Sequence, residues 1–236
     1  MGHHETPVLF CDKCAMGINS IFRHLTRDES DKLTFIKETR NYRKGAVLYR
    51  EGSRISGFYC ISRGIIKVFK TGPDGKEQII RFAKPGDIIA YRSVLSSEPA
   101  CTTAKVLEDS TVCFIPSDIL PRLVKSDPDF ALELVKLICE ELGEANSYIT
   151  DIAQKTVRER LAEVLLKLSD DFGLDDNKHL RISLTREELA NIVGTATESV
   201  IRLLSEFKSD RLVELNGRKI KILDRKGLEK LNNFTR

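Results

Sequence analysis

A chain of 236 residues exceeds the usual size of one domain, so two domains sharing a connecting element are expected. With 41% hydrophobic and 31% charged residues it reads as globular, which excludes a disordered, fibrous or disulfide-scaffolded chain. The formal charge of +3 is too small to announce nucleic acid by itself, and the apolar runs fall far short of the roughly 20 residues a membrane span needs. Nor do the first residues carry a secretory apolar core, so a cytoplasmic protein without a membrane partner is expected.

Residues 1–19 form a segment of their own that holds Cys11 and Cys14, the one pair with ligand spacing among six cysteines. In a cytosolic chain all six should be reduced thiols or ligands. Cys60 and Cys139 sit among apolar residues and are expected to pack in a core or seam, whereas Cys101 reads as an ordinary loop thiol.

Residues 20–128 are predicted to form a β-roll with flanking helices. Between Tyr42 and Pro116, Gly45, Gly52, Gly57, Gly64, Gly72, Gly75 and Gly86 punctuate β-branched and aromatic runs, the pattern of short strands. Pro73-Asp74-Gly75 is a turn, because proline presets φ and glycine accepts a positive one, so Ile65–Thr71 and Gln78–Phe82 should pair.

Residues 129–155 follow as one helix. Phe130, Leu134, Ile138, Leu142, Ala145, Ile149 and Ile152 recur at steps of three and four, and the helix is about 40 Å long, more than one domain needs to cover itself. Glu140, Glu141, Glu144 and Asp151 polarise the other sides, so Leu134, Ile138, Leu142, Ala145, Ile149 and Ile152 are candidates for a seam against a second copy of the chain. Cover from within the same chain is the alternative.

Residues 156–236 read as a winged helix-turn-helix. A helix over about Val157–Leu168 precedes the loop Gly173–His179. Thr185-x-x-Glu188 is a capping box opening a helix to about Val193, Gly194 breaks it, and a second helix runs from about Thr197 to Lys208. Asn216-Gly217 between Leu212–Leu215 and Lys219–Leu223 signals a hairpin, the wing. From Thr197 onward ten Lys/Arg stand against six Asp/Glu, a surplus of four that exceeds that of the whole chain. The fold class is therefore α+β: a cupin-like jelly roll, a long helix and a winged helix-turn-helix.

On the second helix Glu198 and Arg202 are four apart and share a face, where the carboxylate can accept from cytosine N4 and the guanidinium donate to guanine O6 and N7. Ile201 can touch a thymine methyl, while Thr197 and Ser199 are candidates for phosphate contact or helix capping. Thr185 and Arg218 complete the DNA-binding candidates. A plain helix-surface Glu–Arg ion pair, in a pure interaction module, is the competing reading.

The order of β-roll, long helix and winged helix-turn-helix, with the segment TREELANIVGTATESVIRLL over Thr185–Leu204, resembles the CRP/FNR transcription regulators. Lys44-Gly45, Gly52, Ile61-Ser62-Arg63-Gly64 and Pro85-Gly86-Asp87 add to the resemblance, which covers nearly the whole chain. It implies a homodimer, double-stranded DNA with a near-palindromic, TGA-like site, and RNA polymerase as a partner. The cyclic-nucleotide branch uses a Glu and an Arg-Ser/Thr pair where this chain has Tyr91 and Thr102-Thr103; a cyclic phosphate would lack its arginine, so cyclic AMP is not expected. The FNR branch holds an iron–sulfur cluster by three N-terminal cysteines and one in the roll. Cys11, Cys14 and Cys113 resemble part of that set, Ser20 stands about where the missing cysteine would be, and hydroxyl is a poor substitute for thiolate. Ala145 replaces a seam carboxylate of the redox-switched members, which favours a dimer that needs no cofactor. Three readings of the signal stay open: a cluster or other metal on Cys11, Cys14 and Cys113, a thiol switch or other effector pocket, and no cofactor. An enzyme is not expected, because His3, His4, His24 and His179 all lie outside the roll and no catalytic motif is present.

Overall fold

The computed structural model describes residues 21–233. Cys11, Cys14 and Ser20 lie outside them. The chain divides into two compact units, one ending at Glu141 and the other beginning at Leu142.

In the first unit a short 3-10 turn, Ile21–His24, leads into α1 (Arg27–Ile36), opened by a capping box between Thr26 and Glu29. Eight strands follow: β1 (Glu38–Tyr42), β2 (Val47–Tyr49), β3 (Gly57–Arg63), β4 (Ile66–Thr71), β5 (Glu77–Ala83), β6 (Ile88–Ile89), β7 (Thr103–Val106) and β8 (Ser110–Pro116). The helix α2 (Tyr91–Ser96) interrupts them between β6 and β7, α3 (Ile119–Ser126) comes after β8, and α4 (Pro128–Gln154) starts next. The strands form two antiparallel four-stranded sheets, β1-β8-β3-β6 and β2-β7-β4-β5.

Alternation along β8 explains how the roll is filled. Val112 joins Ile61, Ile66, Val68, Ala83, Ile89, Ala104 and Val106 in one core cluster, whereas Cys113 and Ile115 join another with Phe22, Leu33, Phe58, Leu120, Phe130 and Leu134. Successive strand residues face opposite sides, so one strand serves both cores. The hairpin expected around Pro73-Asp74-Gly75 is present, with Thr71 opposite Glu77 and Ile66 opposite Ala83.

The helix α4 is 27 residues long and corrects one seam assignment. Leu134 is 3% exposed within the first unit's own core, and is not available to a partner. Its neighbour Val135 is 54% exposed. Val135, Leu142 and Ile149 are seven apart, as are Ile138, Ala145 and Ile152, which is the a/d spacing of a coiled coil. Ile138, Leu142, Ile149 and Ile152 are between 36% and 66% exposed in the single chain, and Ala145 is exposed too. Cys139, expected in a core or a seam, is exposed in the single chain and so belongs to no core within it, while Cys60 is fully buried as expected.

The second unit continues with α5 (Val157–Phe172), α6 (Arg186–Val193), α7 (Thr197–Ser209), the hairpin β9 (Val213–Asn216) and β10 (Lys219–Ile222), and α8 (Arg225–Asn233). A capping box between Thr156 and Glu159 opens α5, whose Leu161, Ala162, Leu165 and Leu166 are buried. At the start of α8 Arg225 donates to both carboxylate oxygens of Asp170, at 2.7 and 3.0 Å, and holds that carboxyl below its ordinary range.

Candidate nucleic-acid interface

The helix-turn-helix is built from local signals. Thr185 Oγ1 accepts from the Glu188 amide at 3.1 Å while Glu188 Oε2 accepts from the Thr185 amide at 2.9 Å, so two helix-start donors are satisfied reciprocally. Thr185→Ala should therefore cost about 0.5–2 kcal/mol of stability, measured by urea unfolding, and a loss below a few tenths would mean the box carries little. At the other end Gly194 has φ +74°, the left-handed conformation that stops α6 and lets the chain turn toward α7. Arg160 braces that turn, donating from Nε to Val193 O at 3.0 Å and from Nη1 to Lys155 O at 2.8 Å.

On α7 the steps of three and four divide the helix cleanly. Val200, Leu203, Leu204 and Phe207 are buried, whereas Glu198, Ile201, Arg202 and Ser205 are exposed. Ile201 is 49% exposed and the Arg202 side chain 73%, so the residues expected to read bases share a solvent face, with Thr197 and Ser199 half-buried at its start. The N-cap is Ala196, whose methyl accepts nothing, so Thr197 and Ser199 do not cap the helix and its first-turn amides have no side-chain acceptor at the cap.

The wing departs from the expected turn in detail. Asn216 pairs with Lys219 inside the ladder, so the loop is Gly217-Arg218, and only Gly217 has a positive φ, +57°. That is the φ pattern of a II′ rather than a I′ turn. Arg218 is exposed at the tip, and Arg186 Nη2 donates to Gly217 O at 2.8 Å, tying α6 to the wing. Burial lowers the Arg186 pKa from its ordinary value. Arg158, Arg160 and Arg186 were not identifiable from sequence, because their partners lie about 30 to 50 residues away.

The roll holds a second feature, a small cleft lined by Tyr49, Arg81, Tyr91, Arg92, Cys101, Thr102 and Glu141 among others. Arg81 donates to Ile88 O at 2.8 Å and pairs with Asp87 and Glu141, while Arg92 donates to Cys101 Sγ at 3.4 Å. Two guanidinium groups thus line the cleft, both already partnered and neither at Thr102-Thr103, where the resemblance would put the arginine for a cyclic phosphate. Tyr91 Oη is buried without a hydrogen-bond partner among the described residues, and burial, with the Glu141 charge, raises its pKa.

Of the three cysteines proposed as ligands only Cys113 is described. It is fully buried, opposite Cys60 in the ladder, with Thr39 Oγ1 3.6 Å from its sulfur. No group of three His, Cys, Asp or Glu among the described residues could hold a metal ion. By themselves these residues do not fit an iron–sulfur cluster.

A cyclic nucleotide-binding domain matches residues 39–127 and a Crp-like helix-turn-helix domain residues 159–231. The Electron transport regulator A of Shewanella oneidensis is 30% identical over 219 residues, 92% of this chain and 87% of that protein. The chain belongs to the CRP/FNR family. Within the CRP/FNR family it stands close to the FNR branch, and it is a DNA-binding transcription regulator rather than an enzyme. The Anaerobic regulatory protein of Haemophilus influenzae is 28% identical over 226 residues, 94% of this chain and 88% of that protein. Among solved structures FixK2 of Bradyrhizobium japonicum shares the CRP/FNR fold, with a TM-score of 0.76 and 24% identity over 85% of this chain and all of that one. No helix among the described residues is long and apolar enough to cross a membrane.

Proposed function

We propose that the chain acts as a homodimer on a near-palindromic, TGA-like site and that its regulation follows redox state or oxygen. The observation that carries the DNA reading is the exposed face of α7, where Glu198, Ile201 and Arg202 stand clear of the buried Val200, Leu203, Leu204 and Phe207. A helix so presented enters a major groove, and Glu198 with Arg202 matches the two strands of one G·C pair. Thr197, Ser199, Thr185 and Arg218 lie where backbone phosphates would pass. Two copies joined along Val135, Ile138, Leu142, Ala145, Ile149 and Ile152 require half-sites about one helical turn apart. The domains are taken as 20–128, 129–155 and 156–236, with RNA polymerase as the second partner and the cytoplasm as the location.

Arg202→Ala should cost about 1–3 kcal/mol of operator affinity and relax choice at one base pair in each half-site, measured on a library of operator variants. Uniform weakening on every sequence would reassign Arg202 to phosphate. The redox reading rests on the anaerobic role named for the Haemophilus relative and on the thiol set Cys11, Cys14 and Cys113. Operator affinity measured with and without oxygen tests it, and equal values would leave a regulator that is effector-independent or answers to another small ligand.

A further inference from the structure

Glu206 lies on α7 one turn after Arg202, and its two oxygens face two different guanidinium groups. Its Oε1 is 3.6 Å from Arg202 Nη1, an ion pair longer than a hydrogen bond, while its Oε2 accepts from Arg158 Nη1 at 2.7 Å. Arg158, at the start of α5, is held independently: its Nη2 donates to Asp210 Oδ2 at 2.7 Å and its guanidinium carbon stands 4.9 Å above the ring of the fully buried Phe207. The Arg158 side chain is 32% exposed against 73% for Arg202, so one guanidinium is a fixed neighbour of Glu206 and the other a loose one.

We propose that Glu206 is a holding carboxylate for Arg202 and that Arg158 sets how tightly it holds, making both specificity-determining positions that touch no base. The inference rests on Arg202 being a base-reading residue. In the free protein Glu206 draws Arg202 back along the helix. When Arg202 turns to a guanine, the carboxylate left behind would be an unmatched negative charge close to the DNA polyanion, and the short bond to Arg158 neutralises it. The strongly held guanidinium thus weakens the grip of Glu206 on the loosely held one.

The test is a set of operator titrations at fixed salt on the full chain, with operator variants at the base pair that Arg202 reads. Glu206→Gln keeps the side-chain shape and removes the charge; it should tighten binding by about two- to fivefold, the worth of an exposed ion pair, and only where that position is G·C. Arg158→Ala should weaken binding by a similar factor, Arg158→Lys should restore part of it, and the loss should vanish in the Arg158→Ala, Glu206→Gln double variant. Asp210→Asn removes the bracing arm that does not touch Glu206, and should shift the melting temperature without changing base preference. The deciding measurement is Glu206→Gln in the Arg202→Ala background, where the gain should disappear. A gain that persists there, or that extends to every sequence, would show simple relief of repulsion and overturn the proposal while leaving Arg202 as a reader. If Arg202→Ala alone leaves base preference unchanged, the reading of Arg202 itself fails, and the proposal with it.

Discussion

Replacing Ile149 by Glu is expected to leave the protein monomeric at micromolar concentration and to cut operator affinity by on the order of 10²–10⁴, the factor lost when two linked binding events become separate. Ile149 is 66% exposed in the single chain and occupies the same heptad position as Val135 and Leu142. With the two-fold axis running along parallel helices, each a or d residue faces its own copy, so one substitution places two carboxylates in a contact that would exclude water. Repulsion and the cost of burying charge then act together. Sedimentation velocity reports the first effect and a gel-shift titration the second. Leu132→Glu is the control: Leu132 is 54% exposed but at a flanking e position rather than at a or d, and its substitution should disturb the dimer far less. Equal disruption by both changes would mean that the seam runs along another side of α4.

The second large effect concerns Phe130, near the start of the same helix. Its ring is fully buried, 5.6 Å from that of Phe22, in the cluster that includes Phe58, Cys113 and Ile115. Phe130→Ala should remove about 3–5 kcal/mol from the first unit, from lost burial and from the cavity left behind. Against the 5–15 kcal/mol typical of a whole domain, roughly, that is enough to lower its unfolding midpoint steeply in urea. A cost under about 1 kcal/mol would mean that neighbouring side chains collapse into the space.

What could be read in the sequence was what depends on residues a few positions apart. The capping box at Thr185 and Glu188, the glycine that ends α6, the pairing around Pro73-Asp74-Gly75 and the face that Glu198 and Arg202 share on α7 are all of this kind. The apolar stripe of α4 was legible but not which of its residues stay exposed, because Leu134 and Val135 both fit steps of three and four. Packing inside the first unit claims Leu134 and leaves Val135 outside. The helix α2 was missed because it is enclosed by Ala90 and Ser97 at φ +67° and +60°, a conformation that neither residue type signals. The arginine braces were hidden for a different reason: each joins segments far apart in the chain. Glu198 and Arg202 could be identified as a pair, yet the ion pair that Arg202 makes is with Glu206, one turn further on.

The methyl group of Ala196 sets stability against recognition at a single position. A serine or aspartate at that N-cap would satisfy an amide of α7 and add about 0.5–2 kcal/mol to the folded state. It would also place a competing oxygen where a DNA phosphate would accept from the same amides, and an aspartate would add a charge of the wrong sign. Mutations that make this unit more robust at Ala196 are then mutations that loosen its hold on DNA, so a screen for thermostability alone would drift toward proteins that fold well and regulate poorly.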